Sequence, residues 1–325
     1  MKPCKASAHA KAILSGEHAV LYGCDALITP LKENTCCHIE PSEEDYIQLD
    51  IPDFKHQSLW RPADLKKHFL DAQKRLSAYK NGTLIGNSIL SEPTDLAALV
   101  LGFFSSNYGC FIGAKIAIES SIMPFAGMGS SSALVASMVK ALLAFYQLEM
   151  PFDTQLSIMQ ELECYQHGKS SGIDLYVSYH NQTFRYQSGS FTQEDRLGIP
   201  GFVCFSGHSK QSTAECVAHV KPFFKDPKLT ADFQDTSTAI YQALKSDNHV
   251  DLMQHIQKNH ALLCHIGVVP DAIQETIDAI EKRGAAAKIC GAGALSGNAA
   301  GLLWIVGLEK QDLPSALSQC ICFDL

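Results

Sequence analysis

The stretch "PFAGMGSSSALVASMVKALLAF", residues 124–145, joins a glycine-rich loop directly to a run of helix formers. Beyond Ser131 the apolar residues Ala133, Leu134, Val135, Met138, Val139, Leu142, Leu143 and Phe145 fall on nearly every side of a helix. A helix of that kind has no face to give to water, so the fold must surround it. Its first turn is the exception, because the first backbone amides lack helical partners and the glycines let a ligand approach them. Those amides and the helix dipole suit a phosphate. The lysine of G-x-x-x-x-G-K-[ST] is missing, and serines follow the second glycine instead. Taken alone, the loop is equally well a capped helix after a tight turn. Positive charge for a bound anion has to come from elsewhere.

The composition says little in favour of a polyanionic partner. The chain has 325 residues, a net charge of −8, 46% apolar and 18% charged residues, which suits an ordinary globular protein of two packed domains. A nucleic-acid surface needs clustered Lys and Arg, and none is expected here. No apolar run approaches the length of a membrane span. "MKPCKASAHAKAILSGEHAVLYG" has no continuous apolar core of a leader, so the expected location is the cytoplasm. The 12 cysteines form no C-x-x-C ladder; Cys36–Cys37 and Cys320-Ile-Cys322 are the only close pairs. Cys110, Cys204 and Cys264 lie among apolar or small residues and read as buried thiols rather than zinc ligands.

Along the chain, "AKAILSGEHAVLYG" reads as a strand, a polar turn at Ser15–His18 and a second apolar run. "GAKIAIES" (113–120) alternates as a strand leading into the glycine loop. Asp153 is the expected N-cap of a helix reaching Gln166, broken afterwards by Gly168 and Gly172. "TFRYQ" and "GFVCFSG" read as strands, and helices are expected over 211–223, 230–246, 248–263 and 270–283. "AAAKIC" and "AGLLWIVG" read as strands around the loop 291–300, "DLPSALS" as a helix and "CICFDL" as a final strand. Strands first and helices later predict an α+β fold in two lobes, 1–195 and 196–325, parted at "RLGIPG".

Three further groups could carry chemistry. Glu163 and Asp174 flank "HGKSSGID", where the chain can fold back and aim two carboxylates at one cavity. One carboxylate could hold Mg²⁺ and the other accept a hydroxyl proton, as phosphoryl transfer requires. Lys11 stands among apolar residues shortly before Glu17 and His18, and could supply the missing charge. "KICGAGALSG" sets a Gly-Ala-Gly turn between two strands. Each group has a plain structural reading as an exposed carboxylate, a snorkelling lysine or a hairpin loop.

In this order, "SGEHAVLYG", "PFAGMGSSSA", "E…HGKSSGID" and "KICGAG" resemble the motifs of the GHMP kinase superfamily. GEHAVLYG and HG-x-x-SG-x-D are most similar to the mevalonate kinase branch. The resemblance spans Lys11 to Gly293. It implies a ribosomal S5 domain 2-like N-terminal lobe and a ferredoxin-like C-terminal lobe. It also implies phosphorylation of the primary hydroxyl of mevalonate by ATP with Mg²⁺, with the homodimer question left open. Residue by residue, it implies Asp174 as the base and Lys11 as its charge partner. Ser131 and Glu163 match the metal ligands. Gly127, Met128, Gly129, Ser130, Ser131 and Ser132 match the phosphate loop, and Gly291, Ala292 and Gly293 the third motif. Glu17 and His18, with Ser212 and Thr213 as a looser match, fall at the substrate. This chain departs from the pattern at His9-Ala10, where the family has Pro-Gly, at Ser170 in place of Pro, and at "GALSG" in place of a glycine run. Another small-molecule kinase of the superfamily, acting on phosphomevalonate or a sugar, and a non-catalytic metabolite sensor are the rival readings.

Overall fold

The computed structural model describes residues 1–84, 89–92, 94–110, 113–195 and 197–325. In chain order the elements begin with β1 (Cys4–Ser15), β2 (Ala26–Pro41), β3 (Ile47–Ile51), β4 (His56–Trp60), α1 (Pro62–Lys80) and α2 (Asp95–Tyr108). They continue with β5 (Ala114–Ser120), α3 (Ser130–Tyr146), α4 (Phe152–His167) and α5 (Ile173–His180). After these come β6 (Phe184–Gln187), β7 (Ser190–Gln193), β8 (Phe202–Phe205), α6 (Thr213–Val220), α7 (Pro227–Lys245) and α8 (His249–His265). The chain ends with α9 (Asp271–Glu281), β9 (Ala286–Cys290), β10 (Leu302–Val306) and β11 (Cys322–Asp324). The architecture is α+β, as strands first and helices later predicted.

The elements fall into two compact units. The first holds residues 1–10, 33–123 and 129–180. In it β5 pairs antiparallel with the second half of β2 (Thr35↔Ser120 to Pro41↔Ala114), and β3 lies between β5 and β4. Helix α3 packs against α2, α4 and α5. It is buried from Ser132 to Phe145 except at Leu134, Lys140 and Ala144, which is what its lack of a polar face requires. Helix α4 starts one residue before Asp153, after Pro151, and no side chain caps it. Asp153 is therefore not the N-cap. It lies in the first turn, where its charge complements the helix dipole.

The second unit holds residues 11–32, 124–128 and 181–325. The division thus falls after His180, ahead of the predicted 195/196 boundary, whose Arg196 lies outside the described residues. Its sheet runs β11-β8-β10-β9, with each adjacent pair antiparallel. Numbered along the chain from β8, that is the order 4-1-3-2 of a ferredoxin-like sheet. The second crossover helix of that plan is reduced to 3₁₀ turns at Lys310–Asp312 and Ser315–Leu317, where "DLPSALS" predicted a helix; Pro314 interrupts the ladder. Helices α8 and α9 pack on β9, over a core that includes Phe233, Leu263, Ile277, Ile289 and Leu303. All 12 cysteines are free thiols, and no group of three or more His, Cys, Asp or Glu among the described residues could hold a metal. No described helix is long and apolar enough to cross a membrane.

His260 in α8 is buried, and desolvation brings its pKa down to about 4. Below the ordinary histidine range the unfolded chain binds a proton that the folded one refuses, so stability falls as pH drops from about 6.5 toward 4. By pH 5 that loss should be on the order of 2 kcal/mol. Urea unfolding at pH 7 and pH 5 should show it in the wild type and much less in His260→Gln. An equal pH dependence in both would remove His260 as its source.

Candidate active site

In the second unit the first motif forms a tight turn between β1 and a short 3₁₀ segment, Ala19–Tyr22. Gly16 is required there: its φ is +89°, and a Cβ would collide with the Asp25 carbonyl. Glu17 follows, 1% exposed, and accepts a hydrogen bond from the Lys288 ammonium of β9, itself 0% exposed. Lys288 also donates to the Ile289 carbonyl at 2.8 Å. Burial pushes the Glu17 carboxyl up, while Lys288 and then Lys11 pull it back. His18, at φ +56°, reaches the Ala292 carbonyl with Nε2 at 3.0 Å. Burial lowers its pKa, so the imidazole is neutral and its Nε2–H donates. The first and third motifs are thus tied by an ion pair and a hydrogen bond. Lys11, also buried, donates its backbone N–H to the Met128 carbonyl at 2.9 Å, against the glycine loop.

In the first unit Gly129 caps α3 in the left-handed conformation, and Ser130 opens the helix. Ser131 Oγ lies 2.9 Å from His167 Nε2. Ser132 is buried one position further on and donates to Glu163 Oε1, while Ser170 donates to the other oxygen, Oε2. The loop 168–172 then returns the chain into α5, with Asp174 half-buried in its first turn. Two hydroxyls and one carboxylate are hard oxygen donors of the kind Mg²⁺ takes when phosphate and water complete its shell. The residues present therefore fit the ion.

The structure thus brings together Ser132 and Glu163, where the motif match had selected Ser131 and Glu163. The side chains at the first two helical positions, Ser130 and Ser131, point elsewhere than the third, because successive residues are about 100° apart around the axis. Glu17 has a partner of its own. Matched to the substrate, it is enclosed by Lys288 and belongs to the support of the turn. Ser212 is engaged as well: it caps α6 in a reciprocal box with Glu215, leaving Thr213 exposed at the helix start. That box is readable as S-T-A-E in the sequence. Lys288 was missed, although a lysine inside the otherwise apolar "AAAKIC" was its signal.

Residues 95–182 match the GHMP kinases N terminal domain. That stretch of the chain is similar to the GHMP kinases. The match includes α3, Glu163 and Asp174, the first-unit residues just described. Along nearly its whole length, this chain is similar to the mevalonate kinase of Thermococcus sibiricus, 28% identical over 319 residues, covering 94% of this chain and 90% of that one. Its fold is that of the Methanococcus jannaschii mevalonate kinase (TM-score 0.79, 21% identity, 99% of this chain and 98% of that one). It is also similar to L. major mevalonate kinase in complex with R-mevalonate (TM-score 0.69, 19% identity, 98% and 95% covered).

Because Ser132 and Ser170 both donate to a buried carboxylate, Ser132→Ala and Ser170→Ala should each cost about 1.5–3 kcal/mol of unfolding free energy. Ser131→Ala, with its partner exposed, should cost less. Denaturant titration of the three variants decides the order, and a larger loss in Ser131→Ala would reverse the assignment.

Proposed function

We propose that this chain transfers the γ-phosphoryl group of ATP to the primary hydroxyl of mevalonate, in the cytoplasm, with Mg²⁺ as cofactor. The observation that carries the reading is the first-unit arrangement: a buried helix whose N-terminus follows the glycine loop, with Glu163 bonded to its third residue and Asp174 opening the next helix. Similarity to mevalonate kinases over nine-tenths of the chain supports the choice of acceptor.

In this reading the α3 amides hold phosphate oxygens, and the helix dipole favours their charge. Ser132 and Glu163, with Ser131 beside them, would hold Mg²⁺. When bound, the ion supplies neutralisation of charge on the transferring phosphate. Asp174, in the first turn of α5, takes the proton of the acceptor hydroxyl at its carboxylate oxygen. Lys11 supplies the cation that the loop itself lacks. His18, neutral and donating to Ala292, fixes the first-motif turn at which the acceptor is read.

The test is ATP turnover with mevalonate, phosphomevalonate, homoserine and galactose as acceptors, where mevalonate should be preferred and preference for another would replace the substrate. With mevalonate, Asp174→Asn should keep nucleotide binding and lose on the order of 10²–10⁴-fold in turnover. A near-wild-type rate would move the base elsewhere. Ser132→Ala and Glu163→Gln should both raise the Mg²⁺ concentration that gives half-maximal rate, since each weakens an oxygen donor. An unshifted Mg²⁺ dependence in both would return the pair to a purely structural role.

A further inference from the structure

The close pair Cys320-Ile-Cys322 has no part in the kinase reading, and in the second unit it meets a third thiol. Strand β11 runs antiparallel to β8, with Cys322 directly opposite Cys204. Side chains of directly opposed residues stand on the same face of an antiparallel sheet. The neighbouring Phe205 N–H donates to the Ile321 carbonyl at 2.9 Å, so those two residues form a hydrogen-bonded pair. Such pairs alternate along the ladder with non-hydrogen-bonded ones, in which Cα atoms approach to about 4.5 Å. Cys204 and Cys322 are a pair of the second kind, and that separation lies inside the range a disulfide spans.

Both thiols belong to the core of the second unit, Cys204 wholly buried and Cys322 half-buried at its margin. The segment between β10 and β11 joins the same core through Leu313 and Leu317, as 3₁₀ turns rather than a full helix. Cys320 and Cys322 stay partly exposed beside it, and the Cys320 thiol donates weakly to the Ala316 carbonyl at 4.0 Å. Burial pushes the Cys204 thiol up, and the Cys322 and Cys320 thiols beside it push it further. A thiol held protonated gains no stability as a thiolate, so the reduced form has no such advantage over a disulfide. The same burial keeps its own attack slow.

We propose that Cys204 and Cys322 are a modification site, a dithiol that a low-molecular-weight disulfide closes into a cross-strand bond. In the first step the half-buried Cys322 loses its proton, and its sulfur attacks one sulfur of the small disulfide. That S–S bond breaks, one small thiol leaves with the proton, and a mixed disulfide remains on Cys322. The Cys204 sulfur gives up its proton and attacks the Cys322 sulfur, and the second small thiol leaves. Two protein thiols are oxidised, and one small disulfide is reduced to two thiols. The bond fastens β11, a three-residue edge strand, to a strand far back in the chain. A link that closes so long a loop restricts the unfolded chain and stabilises the folded one.

The test uses the full-length reduced protein, incubated with oxidised glutathione at mildly alkaline pH, then alkylated and digested without reductant. Mass spectrometry should find the Cys204 and Cys322 peptides joined. The melting temperature should rise by on the order of 5 °C and return on treatment with dithiothreitol. Cys320→Ser should keep both the bond and the rise, and Cys322→Ser should lose both. A bond between Cys320 and Cys322, glutathione that stays on Cys322 without passing to Cys204, or no modification of either thiol would each overturn the proposal. So would a Cys204–Cys322 bond that leaves the melting temperature unchanged. Should Cys322→Ser fail to fold, the peptide maps of the wild type and Cys320→Ser decide alone.

Discussion

A helix that buries every side can meet a ligand only with its end, and the first unit is arranged around that constraint. Helix α3 packs against α2, α4 and α5 along its length, and it emerges from the core at Gly129 and Ser130. Its third residue, Ser132, is already inside, which makes it the hydroxyl that meets Glu163 from the neighbouring α4. The carboxylate that answers the helix end is thus set by the depth of burial of one serine. Asp174 follows because the loop after α4 returns the chain directly into α5.

In the second unit the equivalent constraint is electrostatic. Two lysines and a glutamate are buried together, and such a cluster is tolerated only if its charges are satisfied locally. The Gly16 turn brings Glu17 to Lys288, and the Gly291–Gly293 turn brings Ala292 to His18. Sequence segments nearly the length of the chain apart become one structural unit. The ferredoxin-like order of the sheet places β9 where this can happen, since its C-terminal end runs straight into the third motif.

Much of this was readable from residues alone, and the failures have physical reasons. The helices of the C-terminal half were legible because their apolar residues recur at helical spacing between Pro, Gly and capping residues; 248–263 was predicted and His249–His265 formed. Helices α1 and α2 went unassigned. The first is highly charged, and the second is apolar throughout, so neither presents a clean period against its flanks. The bond from Ser132 to Glu163 was hidden because motif matching aligns positions and says nothing of which way a side chain points around a helix axis. The partner of Glu17 was hidden for a related reason: the buried lysine opposite it lies 271 positions along the chain, where a motif gives no pairing. The capping role of Ser212 was in plain view in S-T-A-E and went unassigned.

Ser170, where the related motif carries proline, has a consequence beyond local geometry. Its hydroxyl and that of Ser132 give Glu163 a donor on each oxygen. A carboxylate so embraced takes part of its solvation from protein hydroxyls rather than from water. Both oxygens of the Glu163 site therefore already have protein donors. A divalent ion entering it would exchange one set of oxygen dipoles for another rather than rescue a stranded charge, and the chain's own order would owe correspondingly little to whether metal is present.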